Sequence, residues 1–383
     1  MIFRILVDHV GEKLRAQKDA DRRYMQLALS LGRRGLGRTW PNPAVGAVVV
    51  KDGIIVGRGW TQPGGRPHAE PEALRRAGDA AKGATLYVTL EPCSHFGKSP
   101  PCVDAVIAAG ISRVVSAIED PNPEVAGQGH AKLRAAGLQV EVGLCSAEAK
   151  RDHAGHFRRI RDHRPHVILK LAVSSDDKIA AAGSKPVAIT GETARTCVHL
   201  LRAQSDAILI GVRTAIADDP LLTCRLPGME SRSPVRVVLD PMLRLPAASR
   251  LIHSARTTPL WLVASEVAEP ATATRLGAAG AQVIRVPPQV DPSALEPPAL
   301  LKALAEKGIT RLMIEGGSRV ASSFMQSGLV DEIWLLRGPG EIGPDGIAAL
   351  DALPLTAITQ SPAYRVRASE ALDHDTITIY ERA

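Results

Sequence analysis

Residues 83–118, GATLYVTLEPCSHFGKSPPCVDAVIAAGISRVVSAI, carry the pattern that decides the fold of this chain. TLYVTL and RVVSAI are short runs rich in β-formers, and CVDAVIAA between them has the length and composition of a helix. Strand, helix and strand in that order build an α/β sheet with parallel strands. Cys93 lies between the first strand and the helix and Cys102 opens the helix, each directly after a proline. Upstream, a helical pattern over 22–34 leads to a turn at Pro41-Asn42-Pro43. A hairpin follows, with AVGAVVV and IIVGRGW flanking Lys51-Asp52-Gly53. A helix from about His68 to Ala77 then leads into the quoted stretch. Downstream, a helix near 129–136 and a strand LQVEVG close a sandwich that reads as mostly parallel.

The alternation restarts with HVILKLAVS (166–174). A helix after Thr190-Gly191-Glu192, a strand at 207–212 and strands around 235–239 and 259–263 follow. A helix at 300–307, the strand RLMIE (311–315), a helix at 319–326 and a strand at 331–336 complete a second α/β unit. The stretches 219–234 and 265–274 read as long loops. Two domains are also what 383 residues imply. The expected division is an N-terminal extension at 1–20, a first domain at 21–150, a basic linker at 151–165 and a second domain at 166–383. The linker ends in Arg164-Pro165, which favours an extended exit.

Composition removes several classes of function. Hydrophobic residues at 45% and charged residues at 23% exclude a disordered tail protein. No apolar stretch reaches the roughly 18 to 20 residues that span a bilayer, so no membrane partner is expected. The start, MIFRILVDHVGEKLR, lacks a signal-peptide core. The five cysteines are odd in number and too few for a disulfide scaffold, which points to a reduced, cytoplasmic chain. The net charge of +7 is unevenly placed: residues 1–38 hold +5 and 150–164 hold +4, while 39–149 come to −1. A nucleic-acid surface would run along the body with interleaved aromatics, so nucleic acid is disfavoured.

His68, Cys93 and Cys102 offer one imidazole and two thiolates. That is one ligand short of a closed structural zinc shell, and it leaves a position for water. Glu70, two residues from His68, is placed to act as a general base that later returns its proton to a leaving amine. The order H-x-E, then P-C and P-C, follows the zinc deaminase signature, except that eight residues instead of two separate the cysteines. A purely structural zinc is the competing interpretation, and it needs no adjacent acid. His153, His156, His163 and His166 read as surface or satisfied histidines, and Cys145, Cys197 and Cys224 as small buried hydrophobes. No G-x-G-x-x-G follows the first strand of either unit, so a Rossmann site is not supported. The second unit offers instead RLMIEGGSRVASSF (311–324), where glycines before a helix let backbone N–H groups approach a phosphate.

PNPAVG (41–46), KDGIIVGRGW (51–60), PHAEPEAL (67–74), the segment 83–110 and EDPNPEVAGQG (119–129) resemble the bifunctional deaminase/reductase family of riboflavin biosynthesis. LKLAVSSDDKIA (169–180), ITGETAR (189–195), the segment 200–225 and IEGGS (314–318) resemble its reductase half. The resemblance implies a cytidine-deaminase-like α/β/α sandwich followed by a dihydrofolate-reductase-like α/β domain. It implies zinc on His68, Cys93 and Cys102, with Glu70 shuttling the proton. Asn42, His95, Lys98, Asp120 and Asn122 would then grip the pyrimidine ribotide, although Asn42 and Asn122 also sit between prolines as turn residues. In the second domain it implies NADPH against Ala172, Thr214, Asp218 and the run Gly317, Ser318, Arg319, Val320, Ala321, Ser322 and Ser323. Lys170, Arg202, Leu222, Arg225 and Glu315 would face the substrate, the three cations suiting a ribose phosphate. A homo-oligomer, dimer or tetramer, is implied as well. The sequence departs from the family pattern at Thr61, where a histidine is expected, and over 183–188, where Ala188 replaces a tryptophan.

Overall fold

The computed structural model describes residues 2–184, 187–287 and 294–383, and the side chains of these except at 2–14 and 184. The chain divides into two units, Met1–Asp162 and His163–Ala383. The first contains α1 (Ile2–Arg33), β1 (Gly46–Lys51), β2 (Ile54–Trp60), α2 (Ala69–Ala77), β3 (Thr85–Val88) and α3 (Cys102–Ala108). It continues with β4 (Arg113–Ser116), α4 (Gln128–Ala135), β5 (Gln139–Val142), α5 (Ser146–Asp152) and α6 (Ala154–Asp162).

The strands lie in the order β2-β1-β3-β4-β5. β1 is antiparallel to β2 and β3, whereas β3, β4 and β5 run parallel. The sheet is therefore mixed, not mostly parallel. Asp52 (φ 51°) and Gly53 (φ 77°) both take left-handed backbone in the β1–β2 turn, the conformation a tight hairpin requires. Such a turn reverses the chain. Alternation then fills both faces. Ala47, Val49, Leu86, Val88 and Val114 pack with α2, α3, Leu133 of α4 and Phe157 of α6. Val48, Val50, Tyr87 and Val115 pack with Met25, Ala28 and Leu29 of α1 and Ala149 of α5.

Two expected boundaries differ from what the chain forms. The segment 2–20 continues the helix α1, whose Asp21 accepts hydrogen bonds from Tyr87 Oη (2.5 Å) and Arg113 (3.0 and 2.7 Å). Most of the 151–165 linker is helical, and Phe157 is buried in the first core, so apolar burial outweighs the basic composition there.

The second unit contains β6 (His166–Val173), β7 (Lys178–Ala180), α7 (Glu192–Ala203), β8 (Ala207–Gly211), α8 (Val212–Asp218), β9 (Val235–Leu239), α9 (Arg250–His253) and β10 (Leu260–Ser265). There follow α10 (Pro270–Ala278), β11 (Gln282–Val286), α11 (Pro297–Glu306), β12 (Arg311–Glu315) and α12 (Ser318–Gln326). The chain ends with β13 (Glu332–Arg337), β14 (Ile347–Ala348), α13 (Thr356–Thr359), β15 (Tyr364–Leu372) and β16 (Asp375–Arg382). Among the described residues nine strands form one sheet, β11-β10-β9-β8-β12-β6-β13-β16-β15, parallel from β11 to β13 and closed by an antiparallel hairpin. Ile168, Ile208, Ile210 and Met313 belong to a core with α7 and α8, and the alternate residues Val167, Leu169 and Leu209 are equally buried. Both faces are thus covered. The expected loop at 265–274 is short, because Pro270 opens α10 at a position where a missing N–H costs nothing. Among the described residues, no helix is long and apolar enough to cross a membrane.

Gly57 and Gly59 on β2 determine how α2 is seated. A Cβ at Gly59 would stand 2.2 Å from the Ala69 carbonyl oxygen, and one at Gly57 would stand 2.2 Å from that of Ala73. Gly59→Ala must therefore push α2 off the sheet, at a cost of about 1–3 kcal/mol. Calorimetry of the variant is expected to show a lowered first-unit melting temperature. Metal analysis is expected to show reduced metal content, because α2 follows His68.

Candidate active site

His68 directly precedes α2, Cys102 is the first residue of α3, and Cys93 lies in the loop after β3. Their ligand atoms all lie within 4.8 Å of one another. His68 Nδ1 is 3.8 Å from Cys93 Sγ and 3.3 Å from Cys102 Sγ. A tetrahedral zinc bound at about 2.3 Å to sulfur and 2.0–2.1 Å to nitrogen needs N···S edges of about 3.5 Å, so the donor set fits that ion. The Cys102 backbone N–H donates to Cys93 Sγ (3.3 Å). Hydrogen bonding from the Cys102 thiol, joined by His68 and that N–H, holds the Cys93 thiol down at about 4 against the opposing effect of burial. Cys102 is pushed up, first by its bond to Cys93 and then by burial. The pair thus shares a proton that a metal would displace.

Glu70 is buried in the first turn of α2. Burial pushes its carboxyl up to about 7, against the pull of His68. A carboxyl poised near neutrality beside a metal-ligand cluster is suited to taking up and returning a proton.

The residues expected to grip the pyrimidine ribotide are distributed unevenly. Asn42 Nδ2 donates to the Gly65 carbonyl (2.7 Å) and stands 3.5 Å from His68 Nε2, which puts Asn42 beside the metal cluster. Asp120 is buried and paired with His156 Nε2 (3.1 Å), and Asn122 Oδ1 accepts from the Glu124 N–H (3.2 Å), so both shape a loop. His95 and Lys98 are exposed on the insert between the cysteines. That insert is anchored by Arg66 Nε donating to Ser99 Oγ (2.8 Å). Thr61 is buried, with its hydroxyl accepting from the Val45 N–H. His153 lies near Thr89 Oγ1 (3.1 Å), and burial depresses its pKa to about 4. Cys145 and Cys224 are buried, whereas Cys197 is only half-buried.

Glu91 escaped the sequence reading, its one signal being an acid at the end of the apolar run TLYVTL. It is buried, and its carboxylate accepts the backbone N–H groups of Asp120 (3.2 Å), Gly127 (3.0 Å) and His130 (3.1 Å). Glu91, Glu119 and His130 also come close enough to suggest a second metal site. Three of the roughly four acceptor sites of the Glu91 carboxylate are occupied by those N–H groups, so the grouping works as a structural clasp.

In the second unit a cavity of about 1060 Å³ opens beside β6, β8 and β12. Lys170, Ala172, Arg202, Thr214, Asp218, Leu222, Arg225, Glu315, Gly317, Ser318, Arg319, Val320 and Ser323 line it. Ala321 and Ser322 do not. The turn of α12 directs them inward, where Ala321 is buried and Ser322 Oγ accepts from the Ala352 N–H (3.3 Å). Ala188 lines the cavity, whereas 185 and 186 lie outside the described residues. Gly316 (φ 103°) and Gly317 (φ 82°) take left-handed backbone before α12, and a Cβ at Gly317 would meet Thr214 Oγ1 at 2.9 Å. This bare loop, at a helix N-terminus in a cavity larger than most drug-sized sites, fits the phosphates of a dinucleotide.

Lys170 and Glu315 face each other across the β6/β12 ladder. Glu315 lies 3.4 Å from Lys170 Nζ and 2.8 Å from Arg202 Nη2. Burial raises the Glu315 carboxyl, but Lys170 and Arg202 prevail and hold it below its usual range. Arg195 and His199 also line the cavity and were not read from the sequence. Their spacing to Arg202, four and then three residues along α7, was the available signal.

Residues 18–118 match the family model of the cytidine and deoxycytidylate deaminase zinc-binding region, and residues 165–378 match the RibD C-terminal domain. Riboflavin biosynthesis protein RibD of Aquifex aeolicus (strain VF5) is 41% identical over 365 residues, covering 95% of this chain and 99% of that protein. The protein of the same name from Escherichia coli (strain K12) is 39% identical, covering 91% and 95%. The solved structure of Acinetobacter baumannii RibD, form 1, matches with a TM-score of 0.84 at 35% identity, covering 96% of this chain and 99% of that one. A Thermotoga maritima diaminohydroxyphosphoribosylaminopyrimidine deaminase/5-amino-6-(5-phosphoribosylamino)uracil reductase matches with a TM-score of 0.83 at 33% identity, covering 96% and 100%. With two site-bearing units in the same order and relatives matched over nearly their whole length, this chain belongs to the RibD family of riboflavin biosynthesis proteins.

Proposed function

We propose that the chain performs two consecutive steps: deamination of 2,5-diamino-6-ribosylamino-4(3H)-pyrimidinone 5′-phosphate, then NADPH-dependent reduction of 5-amino-6-(5-phosphoribosylamino)uracil to the ribityl product. The observation that carries this is the cluster of His68, Cys93 and Cys102 with buried Glu70 in one unit and the glycine-floored cavity in the other. Zinc on the first cluster would supply a Lewis acid that makes water nucleophilic at neutral pH. Glu70 takes a proton from the attacking water and delivers it to the departing amine as the C–O bond forms and the C–N bond breaks. NADPH would supply the hydride to the ribosyl C1. Gly317 and Ser318 at the start of α12 would hold its phosphates, with Thr214 and Asp218 beside them. Lys170, Arg202, Arg225 and Glu315 orient the ribotide. A cytoplasmic homo-oligomer belongs to the same reading, supported by the family resemblance.

Purified zinc-loaded protein, given the diaminopyrimidine ribotide, should release ammonia without NADPH and consume NADPH only once it is added. Ammonia with no later absorbance change would demote the second unit to a non-catalytic role. Glu70→Gln should keep its zinc by elemental analysis and reduce supplied deaminated ribotide at the normal rate, yet release no ammonia. Loss of zinc in that variant would make Glu70 a ligand and not the proton carrier.

Removing zinc exposes the raised Glu70 carboxyl to titration. The folded protein holds that proton up to about 7, whereas an unfolded chain releases it near the ordinary value of 4.5. Between those limits the folded state holds more protons on Glu70, so the contribution of this carboxyl to stability falls as pH rises through the window. Cys93, held down at about 4 against an ordinary 9.0, contributes the opposite slope there, so Glu70 is read by difference. In thermal melts, metal-free wild type should lose stability relative to metal-free Glu70→Gln as pH rises from about 4.5 to about 7.

A further inference from the structure

His199, on the cavity face of α7, has no role in the chemistry above. Its imidazole is half-buried and lines the cavity beside Arg202 and Arg225. His199 Nδ1 accepts the backbone N–H of Arg225 (3.2 Å). Arg202, one turn further along α7, donates from Nη1 to the Thr223 carbonyl (3.1 Å), so α7 grips the segment 223–225 at two points. The ring can accept only while Nδ1 is unprotonated. Burial, then the neighbouring Arg202 and Arg225, lower its pKa and keep it so, against the weaker pull of Glu315.

The cations around this segment are not equivalent. Glu315 pairs with both Lys170 and Arg202, one negative charge shared between two cations. Arg225 also lines the cavity, and no carboxylate pairs with it among the described residues. It is therefore a cation, carried on the segment that α7 grips, whose charge is left to meet an anionic ligand group. The backbone that carries it is fixed by His199.

Resting on the reductase reading above, we infer that His199 is a positioning residue, holding the segment 223–225 so that Arg225 meets the phosphate of the ribotide. The test uses the full zinc-loaded chain, with His199→Ala, His199→Asn, Arg225→Ala and the double variant His199→Ala/Arg225→Ala. The Asn amide oxygen can stand where Nδ1 accepts. Two quantities are read: the KM for the deaminated ribotide and for NADPH, and the Kd of the ribotide by calorimetry without NADPH.

His199→Ala should raise the ribotide KM and Kd about tenfold, the scale of one lost hydrogen bond, and leave the NADPH KM unchanged. His199→Asn should restore most of that loss. In the Arg225→Ala background, His199→Ala should cost little more, because the group it positions is gone. Additive penalties in the double variant, or an unchanged ribotide Kd in His199→Ala, would overturn the inference. If the wild-type chain binds the ribotide but never oxidises NADPH, the reductase reading fails, while the Kd comparison still decides the role of His199.

Discussion

The first unit depends on how closely α2 can approach the sheet. A helix backbone comes this near a strand only where the strand has no side chains beneath it, and Gly57 and Gly59, two residues apart on one face of β2, provide that space. His68 precedes this helix and Glu70 lies in its first turn, so the seating fixes an imidazole and a carboxyl together. The cysteines arrive from elsewhere, one from the loop after β3 and one from the start of α3. A ligand set drawn from three segments is accurate only if the segments are packed on one scaffold, and the alternating faces of β1, β3 and β4 are that scaffold.

Both sites follow the same topological rule. In open α/β sheets, ligands bind beyond the carboxyl ends of the strands. Cys93 and Asp120 follow β3 and β4, and Gly316 follows β12, while Lys170 and Ala172 lie in the second half of β6. Parallel strands end together on one side, so loops distant in sequence converge there. The chemistry of the two units differs although their layout is shared, because chemistry resides in the loops and not in the sheets.

Two acids, Glu91 buried and Glu315 partly buried, show how differently a carboxylate can be stabilised. Glu91 is satisfied by three backbone N–H groups, two from the loop after β4 and one from the first turn of α4, which fixes that loop against the helix. Glu315 is satisfied by two side-chain cations, and all three groups face a cavity. Breaking this partly buried ion-pair cluster would leave an uncompensated charge, so Lys170 and Arg202 are held in place as a unit. The segment 223–225 is attached to that unit through Arg202, and again through His199.

The sequence alone determined most of the strands and helices up to β13, the cluster His68, Cys93 and Cys102 with its neighbouring acid Glu70, and the glycine turn before α12, because these are local patterns set by side-chain period and chemistry. The C-terminal hairpin β15–β16 lay beyond that reading. Of the fifteen residues that the family resemblance assigned to the second site, all but Ala321 and Ser322 line the cavity. What it missed was decided by contacts between distant segments. Phe157 drew a basic stretch into the first core, and a tight hairpin made the sheet mixed. The turn of α12 hid Ala321 and Ser322, although they belong to a run that otherwise faces the cavity. Glu91 and His199 looked unremarkable in sequence because their partners are backbone groups 26 to 39 residues away. A backbone N–H leaves no mark in the sequence. Only the folded chain shows which side chain it meets.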